Sequence, residues 1–417
     1  MCVRWLLLLV SIAASPAYAA ALDGELRLSL PAAERLWQEH NRELKLAKTA
    51  VLGAEADVLS AGQAPNPQVS LNVASISPQE GFGNGGVRDK RMDSIVRFDQ
   101  LIERGNKREL RGQVAEARLK ASRGDLDDAQ RQQRLTLWAA YYDLMLAQEK
   151  KQVVADAALL YGKSLSASEI RLKVGDISGT DLARLRIDKL RADNDARQAV
   201  ADLEKAQVSL AYLIGKEIDA RLLIAADSWH ASGAVVEKRI DLSLRPDVRA
   251  ARARVDAAER ARELARSLKQ RDVTVGVQLE HNLQNNPTNS FGVGVSVPLF
   301  VRYEYQGEIA RAEADLQAAR ESLEQTEAQA RGSVDQARAD LLASLERRER
   351  LESGLLADAG RVAKAAEFAY AKGAMSLIDL LDARRTWRQV QLETAQARAD
   401  HAKALATWRA ANGELSE

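Results

Sequence analysis

Two aspartates near the end of the chain have a spacing that could act on ions. Asp379 and Asp382 are three residues apart, which places both carboxylates on one helix face. If three copies of the chain met around an axis, the pair would form two stacked carboxylate rings. Such rings favour cations and repel anions at a constriction. The alternative is that both acids lie solvated on a coiled-coil surface, and spacing alone leaves that alternative open.

The other reactive residue types form no catalytic or metal-binding pattern. The histidines are scattered along the chain without a helix-spaced pair: His40, His230, His281 and His401. They also have no cysteine partner of the kind that many zinc sites use. The glycine-rich run at 81–86 lacks the Lys-Ser/Thr and the helix start of a phosphate loop, so an exposed loop is predicted. We therefore expect no enzyme activity, no cofactor and no tight metal site.

The elements that would position the two aspartates occur twice. The segment from Val174 to Leu182 aligns with the segment from Lys372 to Leu380, and residues 100–102 align at the same offset with residues 298–300. Each copy has the order helix, two strands, very long helix, glycine turn and returning helix. Only a shared barrel and a shared helical bundle can bury such parts, so the repeat predicts a tunnel.

Four short segments alternate apolar with polar or small residues. The apolar positions are Val69, Leu71 and Val73; Val96 and Phe98; Val273, Val275, Val277 and Leu279; and Phe291, Val293, Val295, Val297 and Leu299. Each run approaches the length of a barrel strand that crosses a bilayer, about 10 residues. The alternative is a half-buried sheet in a soluble domain. Because the smallest membrane barrels have about 8 strands, the chain must oligomerise, with two or three subunits left open.

Long helical segments follow each strand pair, at about Arg104–Lys173 and Glu304–Lys372. Gly175 and Gly373 are predicted to end them as C-cap residues. At ~1.5 Å per residue, such a helix is about 100 Å long and must lie against similar helices. Returning helices are predicted at about 179–214 and 377–412, and a first helix at about 28–64.

The N-terminus has the pattern of a secretory signal peptide. Arg4 precedes the apolar run from Trp5 to Ile12, and Ala17-Tyr18-Ala19 is a small-x-small cleavage site. An N-terminal membrane anchor is the alternative. Removal of this segment subtracts one positive charge from a formal net charge of +1, which leaves a mature chain near neutrality. A chain without basic excess is not expected to bind nucleic acid.

The predicted organisation follows the repeat. It comprises a signal peptide (1–19), a first repeat (20–214) with strands at 66–76 and 94–102, an equatorial connector (215–244), a second repeat (245–412) with strands at 272–283 and 290–300, and a tail (413–417).

Several short motifs carry a resemblance to the TolC-like outer-membrane efflux proteins over nearly the whole mature chain. They are Asn66-Pro67, Val297-Pro298-Leu299-Phe300, the two glycine turns, and Tyr370-Ala371-Lys372-Gly373 followed by Leu377-Ile378-Asp379-Leu380-Leu381-Asp382-Ala383. Within that family, the runs 100–108 and 306–312 are similar to the CzcC-like heavy-metal efflux branch. Asn106 departs from the glycine that is common there.

The resemblance implies a mainly α fold with a transmembrane β part. Three identical chains would form one outer-membrane β-barrel, with four strands from each chain, continued by a long α-helical periplasmic tunnel. The partners would be a periplasmic adaptor (membrane fusion protein), an inner-membrane proton-driven pump of the resistance-nodulation-division type, and outer-membrane lipid. The implied function is passive conduction of cargo, with divalent heavy-metal cations implied by the branch.

The resemblance also implies roles for individual residues. Asp379 and Asp382 would form the periplasmic gate, and Gly175 and Gly373 the tip turns. A tip latch would comprise three residues: Thr180, Asp181 and Tyr370. Met375 stands where the best-known family member has an arginine, so part of the latch is missing or replaced. The alternative for Tyr370 is simple packing between helices.

Two other functions remain open at this point. One is an exit duct for drug efflux or protein secretion in the same fold. The other is a periplasmic coiled-coil adaptor, which the two separate strand pairs disfavour because adaptors place one β region around one hairpin.

Overall fold

The computed structural model describes residues 24–76, 92–229, 241–282 and 288–412, with the single positions 79, 84 and 86. The predicted signal peptide, most of the glycine-rich loop, His230 and the tail at 413–417 lie outside the described residues. The described chain is mostly helical with one four-stranded sheet, which confirms the predicted mainly α class with a short β part.

The elements follow one another in the order strand, helix, strand pair and helical hairpin, with the last three repeated. They are β1 (Leu26–Leu28), α1 (Leu30–His40), α2 (Arg42–Ala61), β2 (Gln68–Ala74), β3 (Asp93–Ile102), α3 (Lys107–Lys173), α4 (Gly179–Ile214), β4 (Leu223–Ala225), α5 (Pro246–Ser267), β5 (Val273–Asn282), β6 (Thr288–Ser296), α6 (Gln306–Arg350), α7 (Leu356–Ala371) and α8 (Leu377–Ala411). A π-helical turn, Leu351–Leu355, joins α6 to α7. Among the described helices, none combines the length and the apolar character needed to cross a bilayer.

The four-stranded sheet is antiparallel and has one largely apolar face. Its strand order is β2-β3-β5-β6, so both copies of the repeat contribute two strands. Val69 lies opposite Phe98, and Val277 lies opposite both Phe98 and Val293, which aligns the apolar positions across all four strands. This face is open in the single chain, where Leu71 is 69% and Val293 67% exposed. β2 and β6 are the edge strands.

The long helices lie side by side as two hairpins. α3 has 67 residues and packs along α2, α4, α5 and α8. At ~1.5 Å rise per residue it reaches about 100 Å, from the sheet to the far end of the molecule. α8 packs against α6, α7 and α3, which joins the second hairpin to the first. Gly124 permits a close approach of α3 and α5, because a Cβ there would lie 2.9 Å from the Ala250 Cβ.

The helix predicted at about 28–64 is two helices in the structure. Asn41 breaks the run with φ −59° and ψ 125°, and its side-chain carbonyl accepts a hydrogen bond from the Leu44 backbone N–H at 3.0 Å. Its amide donates to the Leu213 carbonyl oxygen at 3.4 Å, and the residue is only 3% exposed. The buried asparagine therefore caps α2 and anchors the break to the end of α4.

A second, small sheet lies beside the helices where the two repeats are connected. β1 and β4 pair in parallel over a core that includes Trp37, Tyr141, Ile214 and Leu223. The Tyr141 hydroxyl lies 2.8 Å from the Asp227 carboxylate, which also accepts a hydrogen bond from the Leu30 backbone N–H at 2.7 Å. Burial, followed by the bond to Asp227, raises the pKa of Tyr141.

The π-helical turn is linked to α3, α8 and the connector by a chain of hydrogen bonds. Glu352 within the turn accepts a hydrogen bond from the Arg398 Nε at 2.7 Å. Arg398 also donates to Glu149 on α3 at 2.8 Å, and Glu149 in turn accepts the Trp229 indole N–H at 2.6 Å. His401 on α8 lies beside this network and is 4% exposed.

Candidate functional site

The far end of the helical hairpins, the tip, is built from two turns with the same geometry. Gly175 has φ +80° and Gly373 has φ +75°, a left-handed conformation that glycine adopts without a steric penalty. The Asp176 N–H donates to the Arg171 carbonyl and the Ala374 N–H to the Ala369 carbonyl, each at 2.9 Å. Together with the adjoining bonds of the glycine N–H groups, these are Schellman caps.

Each turn is followed by a serine that caps the returning helix. Ser178 accepts a hydrogen bond from the Asp181 backbone N–H at 3.0 Å, and Ser376 accepts one from the Asp379 N–H at 3.2 Å. Each serine hydroxyl also donates to the carboxylate of the same aspartate at 2.7 Å. Asp181 and Asp379 therefore occupy equivalent positions in the two repeats, at helix N-termini that favour negative charge.

Asp382 has a different environment from Asp379. One Asp382 oxygen lies 3.1 Å from the Arg385 guanidinium, which also binds both oxygens of Asp188 at 2.7 and 2.6 Å. The Asp188 side chain on α4 is only 5% exposed, whereas that of Asp382 is 63% exposed. The hydrogen bond to Asp188 raises the pKa of Arg385. Arg385 thus joins the candidate gate residue to a buried carboxylate of the other hairpin.

Tyr370 packs at the tip without forming the predicted latch inside the chain. The Arg171 guanidinium lies 5.1 Å from the Tyr370 ring centroid and hydrogen-bonds to Asp176 at 2.5 Å. The Tyr370 hydroxyl is buried and makes no hydrogen bond of normal geometry to a residue that the structure describes. The Thr180 hydroxyl lies 2.7 Å from that of Ser178. The structure therefore does not bring Tyr370 into hydrogen-bond contact with either α4 residue of the predicted latch.

An apolar cluster holds the two hairpins together just behind the turns. Its buried members are Tyr161, Leu185, Ala192, Ala366, Leu377, Leu380 and Leu381. Tyr370 and Met375 pack against this cluster as half-buried neighbours. The Met375 side chain thus adds apolar contact at the position where the resemblance suggested a lost arginine.

Three arginines on α8 surround this cluster. Arg384 donates to Ser164 on α3 at 2.7 Å and to Glu367 on α7 at 3.1 Å. Arg388 donates to Asp195 on α4 at 3.1 Å. With Arg385, these side chains tie α8 to each neighbouring helix at the tip.

The arginines and Asp188 were not among the residues selected from the sequence. The sequence does contain a signal for the burial of Asp188. This residue follows the spacing of a buried helix stripe that also contains Leu182, Leu185 and Ala192. An aspartate in such a stripe needs a charged partner. Within the described residues, no group of three or more His, Cys, Asp or Glu side chains is arranged to hold a metal ion.

Paired helical hairpins that end in capped turns, joined to a sheet with an open apolar face, define the class of outer-membrane channels with a helical tunnel. The sequence model of the family described as "Outer membrane efflux protein" matches residues 35–216 and 241–414, so the chain belongs to that family. This confirms the resemblance to the TolC-like proteins.

Individual relatives agree with the family assignment. The cobalt-zinc-cadmium resistance protein CzcC of Cupriavidus metallidurans is 23% identical over 88% of this chain and 85% of its own length. The outer membrane protein TolC of Vibrio cholerae is 27% identical over 72% of each chain. The crystal structure of a membrane protein from Pseudomonas aeruginosa covers 92% of this chain and 93% of its own, with a TM-score of 0.78 at 16% identity, and has the same fold.

The protein is therefore an outer-membrane efflux channel of a Gram-negative bacterium, as the sequence predicted. Its family consists of channel proteins rather than enzymes. Efflux channels of this kind form trimers and work with adaptor and pump partners.

Proposed function

We propose that this protein is the outer-membrane duct of a tripartite metal-efflux system and that three copies assemble into one channel. The observation that carries the proposal is the four-stranded sheet, which has an open apolar face and two edge strands. Unpaired strand edges cannot lie in a bilayer, so β2 of one copy would pair with β6 of the next. The apolar face then contacts lipid and the polar face lines the channel.

The tip of this assembly is the proposed periplasmic gate. Asp379 and Asp382 lie one turn apart near the start of α8, and both are exposed in the single chain. Around a threefold axis they would give two carboxylate rings. Rings of acidic side chains select cations in many channels, which supports a cationic cargo.

The tip latch is also a proposal. Because the buried Tyr370 hydroxyl makes no hydrogen bond of normal geometry within the described chain, a better-placed partner would stabilise it. A small movement of the ring toward Thr180 or Asp181 of a neighbouring copy would supply the missing partner. The tip turns at Gly175 and Gly373 hold both sides of this contact.

The proposed cargo and partners rest on the similarity of this chain to named relatives. The relative CzcC is named for resistance to cobalt, zinc and cadmium, so divalent ions of these metals are the proposed cargo. The proposed partners are a periplasmic adaptor and a proton-driven pump of the resistance-nodulation-division type. The proposed division of the chain into two repeats around a connector at 215–244 is supported by the pairing of β1 with β4, a strand within that connector.

Assembly and conduction are tested with detergent-purified protein. We expect a particle with the mass of three chains and steady conductance in a planar bilayer. A water-soluble monomer without conductance would instead favour the coiled-coil adaptor.

The cargo is tested in a strain that lacks the protein. We expect the strain to become sensitive to cobalt, zinc or cadmium and to recover with the wild-type gene. Sensitivity to organic drugs with unchanged metal tolerance would favour the drug duct.

A further inference from the structure

The polar face of the sheet carries an ion pair at its centre. Arg97 and Asp99 are two residues apart on β3, so both side chains emerge on the same face. The Arg97 Nε lies 2.9 and 2.8 Å from the two Asp99 carboxylate oxygens. The Arg97 side chain is 35% exposed and that of Asp99 23%, so the pair lies along the sheet rather than extending into solvent.

Glycines on the neighbouring strands create the space for this pair. Gly276 on β5 lies directly opposite Asp99, and Gly294 on β6 lies opposite Gly276. A Cβ on Gly276 would overlap Asp99 Oδ1 and lie 3.0 Å from Arg97 Nη2. A Cβ on Gly294 would lie 3.6 Å from Arg97 Nη2, an ordinary contact. Gly276 is therefore the position that a side chain cannot occupy while the ion pair keeps its place.

We propose that the Arg97–Asp99 pair, seated over Gly276, sets the ion selectivity of the strand-lined part of the channel. The inference rests on the proposed function, because the polar face lines a passage only if the copies close a barrel. Three pairs around the axis would give the wall equal numbers of opposite charges at the level of Arg97 and Asp99. Asp93 and Glu280 lie on the same face, nearer the end of the strands that is distant from α3. Divalent cations would then pass this section without strong attraction or repulsion.

Removal of Arg97 and removal of Asp99 should change the ion selectivity of the channel in opposite directions. Without Arg97, three Asp99 carboxylates would remain on the wall and would attract and retain divalent cations. Without Asp99, three guanidinium groups would repel the same ions. Exposed wall charges act over about a Debye length, about 10 Å in 0.1 M salt and about 3 Å in 1 M salt. Each effect should therefore be larger in dilute salt.

The test is the reversal potential of single trimers in a planar bilayer under a KCl gradient. We expect Arg97→Gln to shift selectivity toward cations and to add block by Zn²⁺, and Asp99→Asn to shift it toward anions. The double variant should return close to wild type. Arg27→Gln is a matched control. Arg27 on β1 of the small sheet forms an exposed ion pair of the same spacing with Glu25, outside the strand-lined passage. Unchanged selectivity in both single variants would overturn the proposal.

The space that Gly276 leaves for the ion pair is tested separately, by measurement of the single-channel conductance. Gly276→Val should lift the ion pair into the passage and lower the conductance about twofold, since a narrower charged wall slows ions. Gly294→Ala, on the same face, should leave conductance near wild type. Equal conductance in both variants would remove Gly276 from the proposal. If the wild-type protein itself forms no channel, the proposed function fails; if it conducts and the variants match it, only this inference fails.

Discussion

The two aspartates of the candidate gate are not equivalent once their contacts are known. The Asp379 carboxylate accepts a hydrogen bond from the hydroxyl of the capping serine, whereas Asp382 faces Arg385. An ion that approaches Asp382 must therefore compete with an arginine of the same helix. The spacing of three residues is visible in the sequence, whereas the contact of Arg385 with both Asp382 and Asp188 follows from the packing of α8 against α4.

Removal of both gate carboxylates should open the tip to larger currents. For Asp379→Ala with Asp382→Ala, we expect higher single-channel conductance and weaker block by divalent cations, because the rings that attract cations are lost. Asp358→Ala is the matched control, since Asp358 pairs with Arg361 at the same spacing on the exposed face of α7. Unchanged conductance and unchanged block would remove the gate assignment.

The contact between Arg385 and Asp188 should stabilise the tip. Arg385→Ala leaves a buried carboxylate without its charged partner, and we expect a loss of about 1–3 kcal/mol because the arginine itself is half exposed. The measurement is the protection of α4 and α8 amides in hydrogen exchange at the tip.

The double variant Arg385→Ala with Asp188→Ala supplies the control for this contact. It should lose less protection than Arg385→Ala alone, because no unpaired buried charge remains. Equal losses in the two variants would show that the pair itself contributes nothing.

At the scale of elements, the π-helical turn and α8 meet around a buried histidine. The His401 Nδ1 lies 3.4 Å from the Ser344 hydroxyl, and its Nε2 has no hydrogen-bond partner among the described residues. Burial and then the charge of Arg348 lower the pKa of His401, against the opposing charges of Glu349 and Glu352. The packed helices therefore favour the neutral imidazole.

A fall in pH should destabilise the packing of α8 against the π-helical turn around His401. Because the pKa of His401 is lower when folded, the unfolded chain binds more protons, and stability falls as pH drops below the ordinary histidine value of about 6.5. The contribution of neutral His401 to the free energy of unfolding is fully present above that pH. We expect hydrogen exchange of residues 344–356, corrected for intrinsic rates, to accelerate between pH 7.5 and 5.5, a range chosen as about one unit on either side of that value.

Two substitutions test whether His401 causes the pH dependence of hydrogen exchange. His401→Leu should flatten the dependence, whereas His40→Gln, at a half-exposed histidine, should retain it. A pH dependence that survives in His401→Leu would contradict the assignment.

The sequence predicted the elements that repeat and missed the two places where a helix is interrupted. Alternation marked the strands, and the long runs without proline permitted α3 and α6. The break at Asn41 depends on a hydrogen bond to Leu213, which is distant in the chain, so local pattern could not reveal it. The turn at Leu351–Leu355 contains no proline, and its Ser353-Gly354 pair was a weak local signal for an interruption. Asp188 was detectable as a charge in an apolar stripe, but its partner follows from the packing of α8 on α4.

At the scale of the whole molecule, the two faces of the large sheet should respond differently to charge. Leu71→Lys places a cation on the apolar face near the middle of β2, which should cost about 2–4 kcal/mol at the bilayer midplane. We expect loss of assembled trimer from the outer-membrane fraction. Ser70→Lys, the neighbouring position on the polar face, is the control and should still assemble. Equal yields of trimer would contradict the orientation of the sheet.

The two long hairpins differ in mechanical stiffness, because α3 is one continuous helix whereas the equivalent run in the second repeat contains the π-helical turn. A force applied at the tip is transmitted to the strands through α3, which is one uninterrupted helix. The same force on α7 reaches the π-helical turn at Leu351–Leu355, where the regular α-helical hydrogen-bond pattern is interrupted. We therefore expect a load at the tip to displace α7 more than α3, so that the two hairpins of one chain would respond unequally to the same pull.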